Sequence, residues 1–223
     1  MRRSQHDRSS STRSALTTAA RALFAARGYH AVPADEIVRA AGVTRGALYH
    51  HYADKQALFR DVVIEVETEF TGEITALLDN APDLTTGLLT GLKAFLDICD
   101  RPEMRRIILI DAPAVLGWAD WRAIEAEHGL GVLVETLTRA VDEGLIPPQP
   151  VDVLARLILS ALIEAALVIA SADDPAQARA DAEHSLGLWW GGGGPPPPPP
   201  ARPPPPPPPR RRAGGGAGPR RPA

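Results

Sequence analysis

Cysteine is nearly missing from this chain. Cys99 is the single one, so neither an intrachain disulfide nor a thiolate metal cage can form. No Cys-centred motif surrounds it, and between Ile98 and Asp100 it reads as buried filler, not as a nucleophile. No apolar run approaches the ~20 residues needed to span a bilayer. The first thirty residues lack the apolar core of a signal peptide, because Thr17, Thr18 and Arg21 interrupt the one candidate stretch. The expectation is a cytoplasmic protein with no membrane contact. The HExxH, GxSxG, GxxxxGKS and GxGxxG patterns are all missing. That removes the metalloprotease, hydrolase, phosphate-loop and dinucleotide chemistries they carry; no enzyme activity and no cofactor are expected. Period-two alternation and long-period repeats are missing as well, which excludes sheets and solenoids.

Charge is unevenly placed. Residues 1–60 hold ten Arg/Lys against four Asp/Glu, a balance of +6. Residues 61–190 hold eight against 23, a balance of −15, and residues 191–223 hold six Arg and no acid. A basic end on an acidic body suggests that the end faces a polyanion while the body keeps the molecule soluble.

What is present is helical periodicity. Residues 1–10 read as a flexible basic arm with Arg2, Arg3 and Arg8. Leu16, Ala20, Leu23 and Phe24 then fall on one helical face, ended by Gly28 with Tyr29 as an apolar anchor. A short helix follows Pro33 and stops at Gly42. A third begins at Thr44, and a fourth at Asp54, a good N-cap, running through Leu58, Phe59, Val62, Val63 and Val66. Beyond it, separate helices are expected at 65–78, 84–99, 104–116, 118–127, 130–143, 151–172 and 175–190, with Pro113 kinking or ending its own. The helix at 151–172 is apolar on nearly every side, interrupted by Ser160 and Glu164. Burial in its own core on one face and in a partner subunit on the other explains that better than a membrane. Residues 191–223, with a tetraglycine, two proline runs and Arg clusters, are expected to be a disordered tail.

Two short helices joined by a tight turn at Gly42-Val43 carry the function. Gly42 supplies the positive φ that crossed helices need. Ile37, Ala41, Val43 and Leu48 are spaced to pack the pair together. The second helix then shows Thr44, Arg45, Gly46, Tyr49 and His50 on its outer side, with a basic N-terminal end suited to a DNA major groove. Arg45 suits a guanine edge, Thr44 and Tyr49 offer hydroxyls to phosphates, Gly46 removes bulk, and Lys55 opens the next helix where it can meet the backbone. Tyr52 and Phe59 read as core.

Gly28-Tyr29, the run Ile37-Val-Arg-Ala-Ala-Gly-Val-Thr-Arg-Gly-Ala-Leu-Tyr-His-His-Tyr52 and Asp54-Lys55-Gln-Ala-Leu-Phe59 resemble the DNA-binding domain of the TetR/AcrR family of bacterial regulators. The resemblance covers residues 11–66. It implies an all-α protein: a three-helix helix-turn-helix head, then a helical effector-binding and dimerisation domain over 67–190. It further implies a homodimer on a palindromic operator, usually a repressor, released by a small molecule of unknown identity. It assigns DNA contact to Thr44, Arg45, Tyr49, His50 and Lys55. Pro33-Ala34 departs from the family's Thr or Ser before the second helix, so a phosphate contact there is either lost or left to a backbone N–H.

The effector pocket is poorly marked. Phe70, Ile110, Asp111, Leu116, Trp118, Trp121 and Glu164 are the candidate liners, chosen as aromatic and apolar walls with a few polar groups. Glu164 stands out as a carboxylate in an apolar helix, to be paired, protonated, facing a polar pocket or bonded across a dimer interface. The alternative function is a helical-bundle metalloprotein. Glu125 and His128 have the i, i+3 spacing of di-metal bundles, and Asp181 and His184 echo it.

Overall fold

The computed structural model describes residues 5–191, with side chains described from 9 to 187. Every regular element among them is helical: α1 (Gln5–Arg27), α2 (Ala34–Ala40), α3 (Arg45–His51), α4 (Lys55–Asp79), α5 (Leu84–Cys99), α6 (Pro102–Met104), a π-helical segment (Arg105–Asp111), α7 (Ala112–Leu116), α8 (Trp118–Asp142), α9 (Val151–Ser171) and α10 (Pro175–Gly191). Of the tail expected at 191–223, Gly191 ends α10 and the rest lies outside the described residues, as do residues 1–4 of the basic arm.

Helices α1 to α3 form a small head around the first part of α4. Leu16, Ala20 and Phe24 of α1, Ile37 of α2, Leu48 of α3 and Leu58, Phe59, Val62 and Val63 of α4 are all fully buried. Each large apolar side chain sealed in this way stabilises the head by roughly 1.5–3 kcal/mol. Phe24, Tyr29 and Phe59 form an aromatic cluster with ring centroids 5.0–5.6 Å apart. Turn chemistry fixes the helix ends. The Thr44 hydroxyl accepts the Ala47 N–H at 3.2 Å, and the Asp54 carboxylate accepts that of Ala57 at 2.8 Å. Gly42 takes φ +66, and the Val43 N–H returns to the Val38 carbonyl.

The body packs α5, α8 and α9 around the rest of α4, with α10 laid on α9. The π-helical segment sits immediately before Pro113. A proline has no N–H to give, and its ring crowds the carbonyl four residues back, that of Leu109. A widened turn, in which the Ala112 N–H reaches the Ile107 carbonyl, relieves that crowding.

Several expectations are corrected here. The arm is helical from Gln5 onward, as the start of α1. Residues 55–79 form one helix and not two, and α8 runs unbroken through Gly129 and Gly131. A helical glycine costs about 1 kcal/mol, which packing on α4 and α9 overrides. Helix α9 is, contrary to expectation, long and apolar enough by length and composition alone to cross a membrane, with a mean hydropathy of 2.3 over its window. Its place between α5, α8 and α10 accounts for one apolar face; the other face is taken up below.

Head and body meet at the α1–α2 turn. The Tyr29 N–H donates to Asp111 Oδ2 at 2.7 Å, and Arg106 brackets that carboxylate at 3.5 Å while donating to the Arg27 carbonyl at 3.2 Å. Gln56 Nε2 reaches the Val115 carbonyl at 2.9 Å. Arg21 forks onto Glu103 at 2.7 and 2.9 Å and also holds Glu69 at 2.8 Å, tying α1 to α6 and α4. Gly28 makes the joint possible. It has φ +79, and a Cβ there would lie 1.9 Å from Arg106 Nη2. Gly28→Ala is therefore expected to lower stability by about 1–2 kcal/mol from the backbone alone. Urea unfolding reads this out, and an unchanged midpoint would contradict it.

Candidate nucleic-acid interface and apolar cleft

The outer face of α3 is free of the body. Leu48 anchors the helix in the core, and this forces Thr44, Arg45, Gly46, Tyr49 and His50 outward, all of them exposed. Tyr52 closes the helix. It is 5 % exposed, and its hydroxyl donates to Asp61 Oδ2 at 2.9 Å, where Arg13 Nε also donates at 3.0 Å. Burial, then the Asp61 contact, pushes the Tyr52 phenol up to about 12, so it stays a neutral donor. This Arg13–Asp61–Tyr52 junction locks α3 to α1 and α4 and sets the angle at which α3 is presented. No spacing in the sequence marks it, because Arg13 lies 48 positions from Asp61.

Arg45 lies beside Asp35 at 3.2 Å and 5.7 Å from the centre of the Tyr49 ring, with its side chain 64 % exposed. An ion pair this exposed is worth about 0–1 kcal/mol, so the guanidinium can leave it for a stronger partner. Gly46 has only the Thr44 hydroxyl, at 3.9 Å, near its missing Cβ. Pro33 caps α2 without a side-chain hydrogen bond, so the phosphate donor absent from the sequence is not replaced by a side chain at that position.

The fold turns Lys55 onto the backbone of the head. Its Nζ donates to the Tyr29 and Val32 carbonyls, both at 3.0 Å, and sits 3.8 Å from the centre of the Tyr29 ring. Desolvation pulls its pKa below the usual lysine value. It is a strut that holds the α1–α2 turn against α4.

The second feature is an apolar cleft between four helices of the body. Phe70, Thr71, Ile74 and Leu78 of α4 face Leu88, Gly91, Leu92 and Phe95 of α5, with Gly129, Val132, Leu133 and Thr136 of α8 and Leu159 and Leu162 of α9 closing the sides. The space among them is about 80 Å³ for the centre of a water-sized sphere, room for several waters by that measure. Gly91 and Gly129 are among its walls, where a Cβ would come into contact with Leu78 at 3.4 Å and Leu159 at 3.7 Å.

Of the residues expected to line an effector pocket, Phe70 is the one that lines this cleft. Ile110 and Trp118 are 46 % and 60 % exposed on the far side of the α7–α8 corner. Asp111 is spent on the Tyr29 N–H, Leu116 is half-buried in α7, and Trp121 is sealed in the core. Glu164 is exposed on the outer face of α9. The metal alternative fares no better. Glu125 is buried and bound by Arg122 at 2.9 Å, His128 Nδ1 lies 3.5 Å from the Thr68 hydroxyl, and no cluster of three or more metal-ligating side chains exists among the described residues.

Sequence reasoning missed Glu67. It is 4 % exposed, and desolvation followed by the nearby Glu125 pushes its carboxyl up to about 8. The signal was there: Phe59, Val63, Glu67, Phe70 and Ile74 share one apolar helical stripe, in which a glutamate is out of place.

Comparison with known proteins agrees with this geometry. Residues 16–62 match the family model described as bacterial regulatory proteins of the tetR family, and residues 85–192 match the tetracyclin repressor-like C-terminal domain. The crystal structure of a TetR-family transcriptional regulator from Pectobacterium atrosepticum is 32 % identical, with a TM-score of 0.76 over 85 % of this chain and 97 % of that one. The TetC protein of transposon Tn10 from Escherichia coli is 28 % identical over 161 residues, 69 % of this chain and 78 % of its own. The transcriptional repressor AcnR of Corynebacterium glutamicum is 26 % identical over 149 residues, 66 % of this chain and 76 % of its own. With both halves matched and a relative of this identity covered almost end to end, the chain belongs to the TetR family of transcriptional regulators and carries that family's helix-turn-helix DNA-binding domain.

Proposed function

We propose that the protein is a cytoplasmic repressor that binds a palindromic operator as a homodimer and leaves it when a small molecule enters the apolar cleft. The observation that carries this reading is the outer face of α3. Thr44, Arg45, Gly46, Tyr49 and His50 stand clear on a helix whose other side is fixed in the core. Arg45 reads a base edge, and Thr44, Tyr49 and His50 hold phosphates or flanking bases. Lys55 acts from behind, by positioning the turn. The repressor assignment draws support from the named repressor among the relatives.

The dimer would form on α9. Val153, Leu157 and Val168 are 57 %, 56 % and 48 % exposed, on one stripe with Glu164. That is the unpaired second face of the most apolar helix in the chain, and a second copy buries it without any membrane. Two heads held this way set their α3 helices about 34–36 Å apart, one DNA turn, or a multiple of it. Helix α4 links the two functions. It is one continuous helix, with Lys55 under the head and Phe70–Leu78 in the wall of the cleft. An effector that fits the cleft in one head spacing better than another shifts the dimer between them.

The test is Arg45→Ala on the preferred operator and on scrambled DNA. A loss of ~1–3 kcal/mol on the operator, with relaxed specificity at one base pair, is the expected result. An equal loss on every sequence would make Arg45 a phosphate contact, and no loss at all would remove α3 as the reading helix.

A further inference from the structure

We propose that the cleft selects ligands with an apolar body and a cationic nitrogen head, the head seating at the head-proximal end of the cleft between Glu67 and Glu125. This rests on the reading of the cleft as the effector site.

The placement follows from helical register. Glu67 is one turn before Phe70 and Thr71 on α4, Glu125 one turn before Gly129 on α8, and Cys99 one turn after Phe95 on α5. None of the three lines the cleft itself; each lies one turn beyond its wall, at the end nearest the head. Their mutual electrostatic effects agree with that placement: Glu125 raises Glu67, and both raise the Cys99 thiol.

Polar capacity at this end is unspent. The Glu67 carboxyl takes part in no hydrogen bond or ion pair among the described residues, although it is 4 % exposed. The Thr71 hydroxyl, in the cleft wall, is buried with no partner. It thus stands one turn from Glu67 with hydrogen-bonding capacity that a polar ligand group can use. The charge count says which kind. Two carboxyls face one guanidinium, that of Arg122, which already holds Glu125 at 2.9 Å. Ionising Glu67 therefore leaves one negative charge unmatched, and an ammonium is its complement. Burial keeps Glu67 up at about 8 and Glu125 at about 7 in the empty protein, so a cation arriving at neutral pH would displace a proton.

The rest of the cleft is apolar and narrow. Phe70 to Leu78 spans about 12 Å of helix, the length of a medium alkyl chain or a short ring system.

The experiment is calorimetric titration of the full chain, and of Glu67→Gln, with decylamine, decanol and sodium decanoate, all below their micellar concentrations and in two buffers of different ionisation heat. Decylamine is expected to bind ~10-fold or more tighter than decanol, the worth of one charge-assisted hydrogen bond. Decanoate should bind weakest, and the amine should release a proton to the buffer. In Glu67→Gln the amine preference and the proton release should both vanish while decanol binding persists. Equal binding of the three probes, or a preference that survives the substitution, overturns cationic recognition and leaves the cleft as an apolar effector site. No binding of any probe overturns the effector site itself, and the inference with it.

Discussion

Replacing Leu157 and Val168 together by Glu is expected to give a folded monomer that has lost ~10²–10⁴-fold in operator affinity, the gain that linking two binding modules normally provides. Both side chains are about half exposed on α9, so the charges disturb no packing within the subunit. In a dimer the same positions would be buried against their copies, where two unpaired carboxylates on each side cannot be accommodated. Each head should still meet a half-site through α3, so weak binding and the base preference of Arg45 should survive. Sedimentation equilibrium and fluorescence anisotropy on a palindromic duplex separate these effects. A variant that remains dimeric with full affinity would move the interface away from α9.

Glu67→Gln is expected to stabilise the protein, on the order of 3 kcal/mol near neutral pH and above. The sign follows from the two states. In the unfolded chain the carboxyl titrates at its ordinary value, whereas in the fold burial and Glu125 push it up to about 8. The folded state therefore holds more protons in between, so stability falls as pH rises from about 5 to about 8 and levels off beyond. Glu125, pushed up to about 7 with Arg122 opposing the shift, adds to the fall in the same direction. The amide keeps the shape and cannot ionise, so the variant should lose most of this slope. Urea unfolding of both proteins at pH ~5 and ~8 decides the matter. A variant less stable than the parent at the higher pH would mean that the carboxylate is held by a partner in the empty protein.

The head was legible because its chemistry is local. Gly42, Thr44 and Asp54 act on residues within one turn of themselves, and the apolar spacing of Leu16, Ala20, Phe24, Ile37 and Leu48 names its own core. Helix count in the body was less so. Gly129 and Gly131 look like a break in any short window, and only the packing of α8 on α4 and α9 carries the helix through them. The cleft was not legible in the sequence for a related reason. Aromatic, apolar and acidic side chains drew attention to residues 110–121, which are exposed surface, a sealed core position and the joint with the head. The walls of the cleft are largely ordinary leucines, with the two glycines among them and one glutamate a turn away in an otherwise apolar stripe. Contacts such as Asp111 to Tyr29, Arg21 to Glu103 and Arg13 to Asp61 join residues 48 to 82 positions apart. No period in a single sequence reports those. Lys55 shows the same limit at the level of one residue. Its place at the start of α4 suited a phosphate, but the carbonyls of Tyr29 and Val32, brought there by the fold, take its donors first.

Selection of the purified protein against a random duplex library, with sequencing of the bound fraction, tests the central claim most directly. A two-fold-symmetric consensus, with half-sites about one helical turn apart or a multiple of it, and loss of the consensus in Arg45→Ala, is the expected result. Enrichment of single, asymmetric sites, or of no sequence at low and moderate salt, would contradict a dimeric reader built on α3.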